Sequence, residues 1–107
     1  MQRSNFYSYT QKKLDLLTKN LLVIKRDGRV VKFDADKIYK AIEKAVNSVF
    51  GEKHSVNIDS IVDNVIIEIG NRFKDNIKIY ELQNIVEHTL ITLGEEAIYE
   101  EYVGYRS

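Results

Sequence analysis

A chain of 107 residues, 44% hydrophobic and 30% charged, is sized for one domain with one core, and that composition excludes disorder as its default. It holds no cysteine, which excludes disulfides, thiolate metal sites and thiol nucleophiles together, and no apolar run approaches the roughly 20 residues of a membrane span. Its 16 basic and 16 acidic residues cancel unevenly: residues 1–40 carry ten Lys/Arg against four Asp/Glu, and residues 41–107 carry six against twelve.

Residues 1–20 read as a flexible N-terminal arm. Arg3, Lys12, Lys13 and Lys19 stand against Asp15, and Phe6, Tyr7 and Tyr9 precede a short helix from about Thr10. Termini of this kind are usually loosely ordered. A basic arm with aromatics also suits nucleic acid, which makes a DNA-associated regulator the alternative function. The arm lacks a signal-peptide core, so the expectation is a soluble, cytoplasmic protein.

Residues 21–33 read as a hairpin turning at Asp27-Gly28, because a two-residue loop needs positive φ and Gly adopts it most cheaply. A two-residue loop sets Arg26 opposite Arg29, Ile24 opposite Val31 and Leu22 opposite Phe33. Those pairs share a mostly apolar face, expected to pack on helices. The other face then carries Val23, Lys25, Val30 and Lys32. Two ammoniums among valines suit a flat ring with a charged tail, as in a nucleotide.

Asp34 is an N-cap for a helix in which Ile38, Ile42, Ala45, Val46 and Val49 recur at helical steps to about Phe50, with Gly51 as its stop. Lys37 sits in the first turn, where a cation opposes the helix dipole unless an anion is bound there. A second helix spans residues 58–73, with Ile58, Ile61, Val62, Val65, Ile66, Ile69 and Phe73 on one face. Asp59, Asp63 and Glu68 lie off that stripe and read as a solvated face. Residues 77–79 alternate and suit a short third strand. A third helix over 80–93 is striped by Leu82, Ile85, Val86, Leu90 and Leu93, with Gln83 at the edge of the stripe. Gly94 stops it, and Glu95-Glu96 opens a last helix striped by Ala97, Ile98, Tyr102 and Tyr105. His54 and His88 lack partners at ligand spacing, so no metal site is expected.

Lys25-Arg26-Asp27-Gly28, Phe33-Asp34 and Lys37-Ile38, followed by Glu81-Leu82-Gln83 with Val86-Glu87 and by Tyr102-Val103 with Tyr105-Arg106, resemble the ATP-cone. That family is the regulatory nucleotide-binding domain at the N-terminus of many ribonucleotide reductases. The resemblance covers roughly residues 21–106. It implies an α+β domain over 21–107, with a two- or three-stranded antiparallel sheet capping four helices. It implies ATP or dATP as effector with Mg2+, and a reductase catalytic domain or subunit as partner. It also implies a change of oligomeric state when dATP binds. Lys25, Arg26 and Lys37 would hold phosphates, Val23 and Val30 would cover the base, and Gln83 would read adenine or ribose. Lys78 and Arg106 are weaker candidates, Lys78 standing about where family members often carry Ser or Thr. The chemistry of the parent enzyme uses cysteine radicals, so this cysteine-free chain would be regulatory and not catalytic.

Overall fold

The computed structural model describes residues 15–106. The readings of Arg3, Phe6, Tyr7, Tyr9, Lys12, Lys13 and a helix from Thr10 therefore lie outside the described residues. Residues 15–17 are helical and 18–20 form a turn. Then follow β1 (Leu22–Ile24), β2 (Val30–Lys32), α1 (Ala35–Phe50), α2 (Ile58–Arg72), β3 (Asn76–Lys78), α3 (Ile79–Thr92) and α4 (Glu96–Arg106). No helix among the described residues is long and apolar enough to cross a membrane.

The helices begin and end where local chemistry dictates. The Asp34 carboxylate accepts from Asp36 N at 3.0 Å and caps α1; Gly51, at φ +80°, closes it by donating to Asn47 O at 2.9 Å. The Asn57 amide oxygen accepts from Ser60 N at 3.0 Å and opens α2. Before α3 stands Lys78, whose ammonium has no lone pair to cap with. The carboxylate of Glu81 substitutes by accepting from Lys78 N at 3.0 Å. α1 buries Ile38, Ile42, Ala45 and Val46, as its periodicity predicts. In α4 only part of the expected stripe is core: Ile98 and Tyr102 are buried, while Ala97 and Tyr105 are exposed. The Tyr105 ring instead receives the Lys44 ammonium at 4.3 Å from its centroid.

The four helices form a closed ring of packed neighbours, α1 on α2, α2 on α3, α3 on α4 and α4 on α1. Ile42, Ile66, Ile69, Ile77, Leu90 and Ile98 are completely enclosed between them and the sheet.

The sheet corrects two expectations. Its order is β2-β1-β3, with β1–β2 antiparallel but β1–β3 parallel, so it is mixed. Parallel neighbours need a long crossover, and α1 with α2 supplies it. The alternation of residues 77–79 carries no information about direction.

The second correction is the hairpin register. Val23 lies opposite Val31, Ile24 opposite Val30 and Leu22 opposite Lys32. The loop is one residue longer than a two-residue turn. Lys25 N donates to Arg29 O at 2.8 Å, Gly28 N donates to Lys25 O at 3.0 Å, and Gly28 sits at φ +89°. This is a three-residue loop, Arg26-Asp27-Gly28, with glycine in the left-handed position. The Asp27 side chain selects it by accepting from Arg29 N at 3.1 Å and Arg29 Nε at 2.7 Å. A one-residue slip turns every side chain of one strand to the other face. Val31 and Phe33 therefore join Val23 on the inner side, while Val30, 57% exposed, points away.

Candidate functional site

The inner side of the hairpin, the start of α1 and the start of α3 converge on a cleft of about 180 Å³. Val23, Val31 and Phe33 line it from the hairpin, Ile38 and Ala41 from α1, Leu82 from α3 and Tyr102 from α4. Over this apolar lining stand Lys25 and Lys37, while Lys32 borders the cleft from β2 with its side chain on the Val30 face. An adjoining cavity of about 390 Å³ is lined by Lys25, Arg26, Asp27 and Arg29 of the turn and by Ile79 and Gln83 of α3. Lys25, Ile79 and Gln83 line both spaces, so an apolar slot opens beside a cationic one.

The charges are unevenly committed. Arg29 is held by Asp27 at 2.7 Å. The backbone N–H of Arg29, and then its guanidinium, keep the Asp27 carboxyl below the usual aspartate range. Asp36, the acidic neighbour of Lys37, pairs with Lys40 at 3.0 Å. That pairing raises the Lys40 ammonium above its ordinary value. Lys25, Lys32 and Lys37 form no salt bridge with any described residue. Like charges gathered around one cleft repel one another, Asp34 being the carboxylate in its lining, and a polyanion relieves that repulsion. The Asp34 carboxylate already caps α1, so anion binding here falls to the lysines and not to the helix terminus.

Gln83 is the second anomaly. Its Oε1 is buried and accepts no hydrogen bond from any described residue. A buried acceptor left unmatched costs about 1–3 kcal/mol. Gln83 lines both the slot and the cationic cavity, so a ligand with a donor edge beside it can offer the missing bond.

The structure thus brings Val23, Lys25, Lys37 and Gln83 to one cleft, and Arg26 to the adjoining cavity. It does not bring Val30, because the register turns that residue outward; Val31 takes its place. Lys78 lies outside both linings, with its ammonium 5.8 Å from the Tyr80 ring centroid. The Arg106 side chain lies outside what the structure describes. Val31, Phe33 and Tyr102 are lining residues that the sequence did not single out for the site, whereas Lys32, read from the sequence as sharing a face with Lys25, falls on the Val30 face. The three-residue loop was the missing signal for the two on the inner side of β2 and its extension. Among the described residues no cluster of His, Cys, Asp or Glu could hold a metal ion.

The ATP cone domain family matches this chain over residues 21–107. The chain is 27% identical over 103 residues to the ribonucleoside-diphosphate reductase subunit alpha of Chlamydia trachomatis, a match covering 87% of this chain and 10% of that protein. It is 28% identical over 103 residues to the same subunit of Chlamydia muridarum, with the same coverage of each. It spans about a tenth of the length of these curated relatives.

Proposed function

This chain belongs to the ATP cone domain family, and from that premise we propose that it is the regulatory adenine-nucleotide site of a ribonucleotide reductase, a binding module that performs no chemistry itself. One observation carries the reading: an orphaned buried acceptor, Gln83 Oε1, stands where an apolar slot meets a cationic cavity. A nucleotide has the matching parts in the matching order. The base lies against Val23 and Val31, and its exocyclic amine donates to Gln83. Adenine offers that donor, whereas guanine presents a carbonyl at the same position. The phosphates reach Lys25, Arg26 and Lys37. Mg2+ travelling with the triphosphate would be held by phosphate oxygens and water, since hard cations need few protein ligands there. Asp34, the carboxylate in the cleft, is engaged as the α1 cap.

ATP and dATP differ by one hydroxyl, so regulation requires two protein states that differ in affinity for them. In the proposed scheme ATP favours the active parent enzyme and dATP the suppressed one, through a change in how copies assemble. The exposed acidic residues of α4, Glu96 and Glu100, face the catalytic partner in the cytoplasm of the cell. The alternative of DNA binding rests on the arm, whose Arg3, Lys12 and Lys13 lie outside the described residues.

Titration calorimetry with ATP, dATP and GTP tests the proposal. Saturable binding of both adenine nucleotides, with GTP at least tenfold weaker, is the expected outcome. A folded sample that gives no heat with any nucleotide overturns it.

A further inference from the structure

Residues 15–20 precede the region matched by the family; they are exposed except for Thr18, which is buried. Thr18 is only 8% exposed. Next to it in the chain, Leu17 lies against Gly70, a buried residue of α2. A Cβ placed on Gly70 would lie 2.7 Å from Leu17 Cβ and 3.5 Å from Leu17 O. Any side chain there displaces Leu17. Glycine is present so that the N-terminal segment can lie directly on the helix backbone.

From this seat, backbone bonds lead to the cleft. Leu21 N donates to Thr18 O at 3.1 Å, and Phe33 N donates to Leu21 O at 3.0 Å. Leu21 is buried between them. Phe33 and Asp34 line the cleft on one side. On their other side lies a separate cavity of about 530 Å³, whose far wall is Asp15, Thr18 and Lys19. Phe33-Asp34 is therefore a partition with space on both faces. Phe33 packs against the core, Asp34 is held as the α1 cap, and the backbone of Phe33 is tied to Leu21.

We infer that residues 15–20 are a brace for this partition, and that Leu17 and Gly70 are positioning residues for nucleotide binding. They touch no ligand and act through Thr18, Leu21 and Phe33. The inference rests on the adenine-nucleotide reading of the cleft. Coupling between two places is reciprocal: a brace that sets ligand affinity is itself steadied when the ligand binds.

The experiment has two arms on the whole chain. In the first, ATP affinity is measured for wild type, Gly70→Ala and Gly70→Ala combined with Leu17→Gly. Alanine favours a helix over glycine, so α2 itself is not weakened. Gly70→Ala is expected to lower ATP affinity by roughly two- to thirtyfold, the usual range for residues that modulate a site they do not touch. Leu17→Gly removes the opposing Cβ and is expected to restore most of the loss. In the second arm, hydrogen exchange of residues 17–21 is followed in wild type with and without saturating ATP. ATP is expected to slow it, which a merely structural contact would not do. Folded Gly70→Ala that binds ATP within twofold of wild type overturns the brace, as does exchange at 17–21 indifferent to ATP. If Gly70→Ala does not fold, the second arm decides alone. Wild type that fails to bind ATP overturns the adenine reading and the brace with it; wild type that binds with neither arm responding overturns the brace only.

Discussion

Arg29 grips Asp27 twice, through its backbone N–H at 3.1 Å and its Nε at 2.7 Å. This exposed clamp decides which strand residues face the cleft, because it fixes the loop at three residues. Its acid sensitivity follows from the depressed Asp27 carboxyl. A carboxyl with a folded pKa below its unfolded one contributes stability that is fully present above the unfolded value. That contribution is lost as pH falls through the folded value. The clamp is therefore expected to persist from pH 7 down through the ordinary aspartate value of 3.8 and to open only below it. An NMR titration of the Asp27 carboxyl checks this, and a midpoint above 3.8 would contradict it.

Gly28 stands at φ +89° with nothing within 4 Å of where a Cβ would go. Substitution there tests backbone strain without a clash. Gly28→Ala is expected to destabilise the domain by about 1–2 kcal/mol, the cost of a left-handed conformation for an L side chain. Denaturant unfolding measures it. An unchanged midpoint would mean that position 28 is not held in the left-handed conformation in solution.

The hairpin turn shows where the sequence was legible and where it was not. The limits of α1 were readable because Asp34 and Gly51 act locally, within four residues of the backbone groups they satisfy. The stripe of Ile38, Ile42, Ala45 and Val46 has a period that only one helix face can satisfy. Asp27-Gly28, by contrast, fits loops of two or three residues equally well. The choice lies in the two hydrogen bonds that Arg29 donates to the Asp27 carboxylate, which no pattern of hydrophobicity records. Val30 and Val31 exchanged roles on that contact. The parallel pairing of β3 was unreadable for a different reason: strand direction is a property of the α1–α2 crossover, not of residues 77–79. The cap of α3 sits on Glu81, three residues past the Lys78 where a hydroxyl was missed.

The exchange of the two valines separates the observed register from the expected one in a binding experiment. Val31→Ser, in the cleft lining, is expected to weaken ATP binding by about 1 kcal/mol, because apolar contact with the base is lost. Val30→Ser, on the exposed face, is expected to leave it unchanged. The reverse pattern would restore the two-residue loop.

Lys25 and Lys37 reach the cleft from the hairpin and from the first turn of α1. Neither is held by a carboxylate among the described residues. Truncation of either to alanine should therefore leave folding intact and act on ligand alone. Each is expected to cost about 1.5–3 kcal/mol of ATP affinity, the range for a hydrogen bond to a charged group. Adenosine, which lacks phosphates, should bind both variants as it binds wild type. Equal losses for ATP and adenosine would remove the phosphate assignment.

Gln83 sets stability against binding. Its buried oxygen lacks a partner among the described residues, and that deficit is a standing cost to the fold. Gln83→Leu keeps the volume roughly constant and removes the unmatched acceptor. The empty protein is then expected to unfold at higher temperature, because an apolar group of similar shape replaces one buried without a bond. ATP affinity should fall at the same time, since the adenine amine loses its acceptor, and the preference for adenine over guanine should shrink with it. Differential scanning calorimetry and a nucleotide titration on the same sample measure both sides. Opposite signs are the signature of a group kept for its ligand. A variant that loses stability and keeps its adenine preference would instead make Gln83 a packing residue, and the base would have to be recognised elsewhere in the cleft.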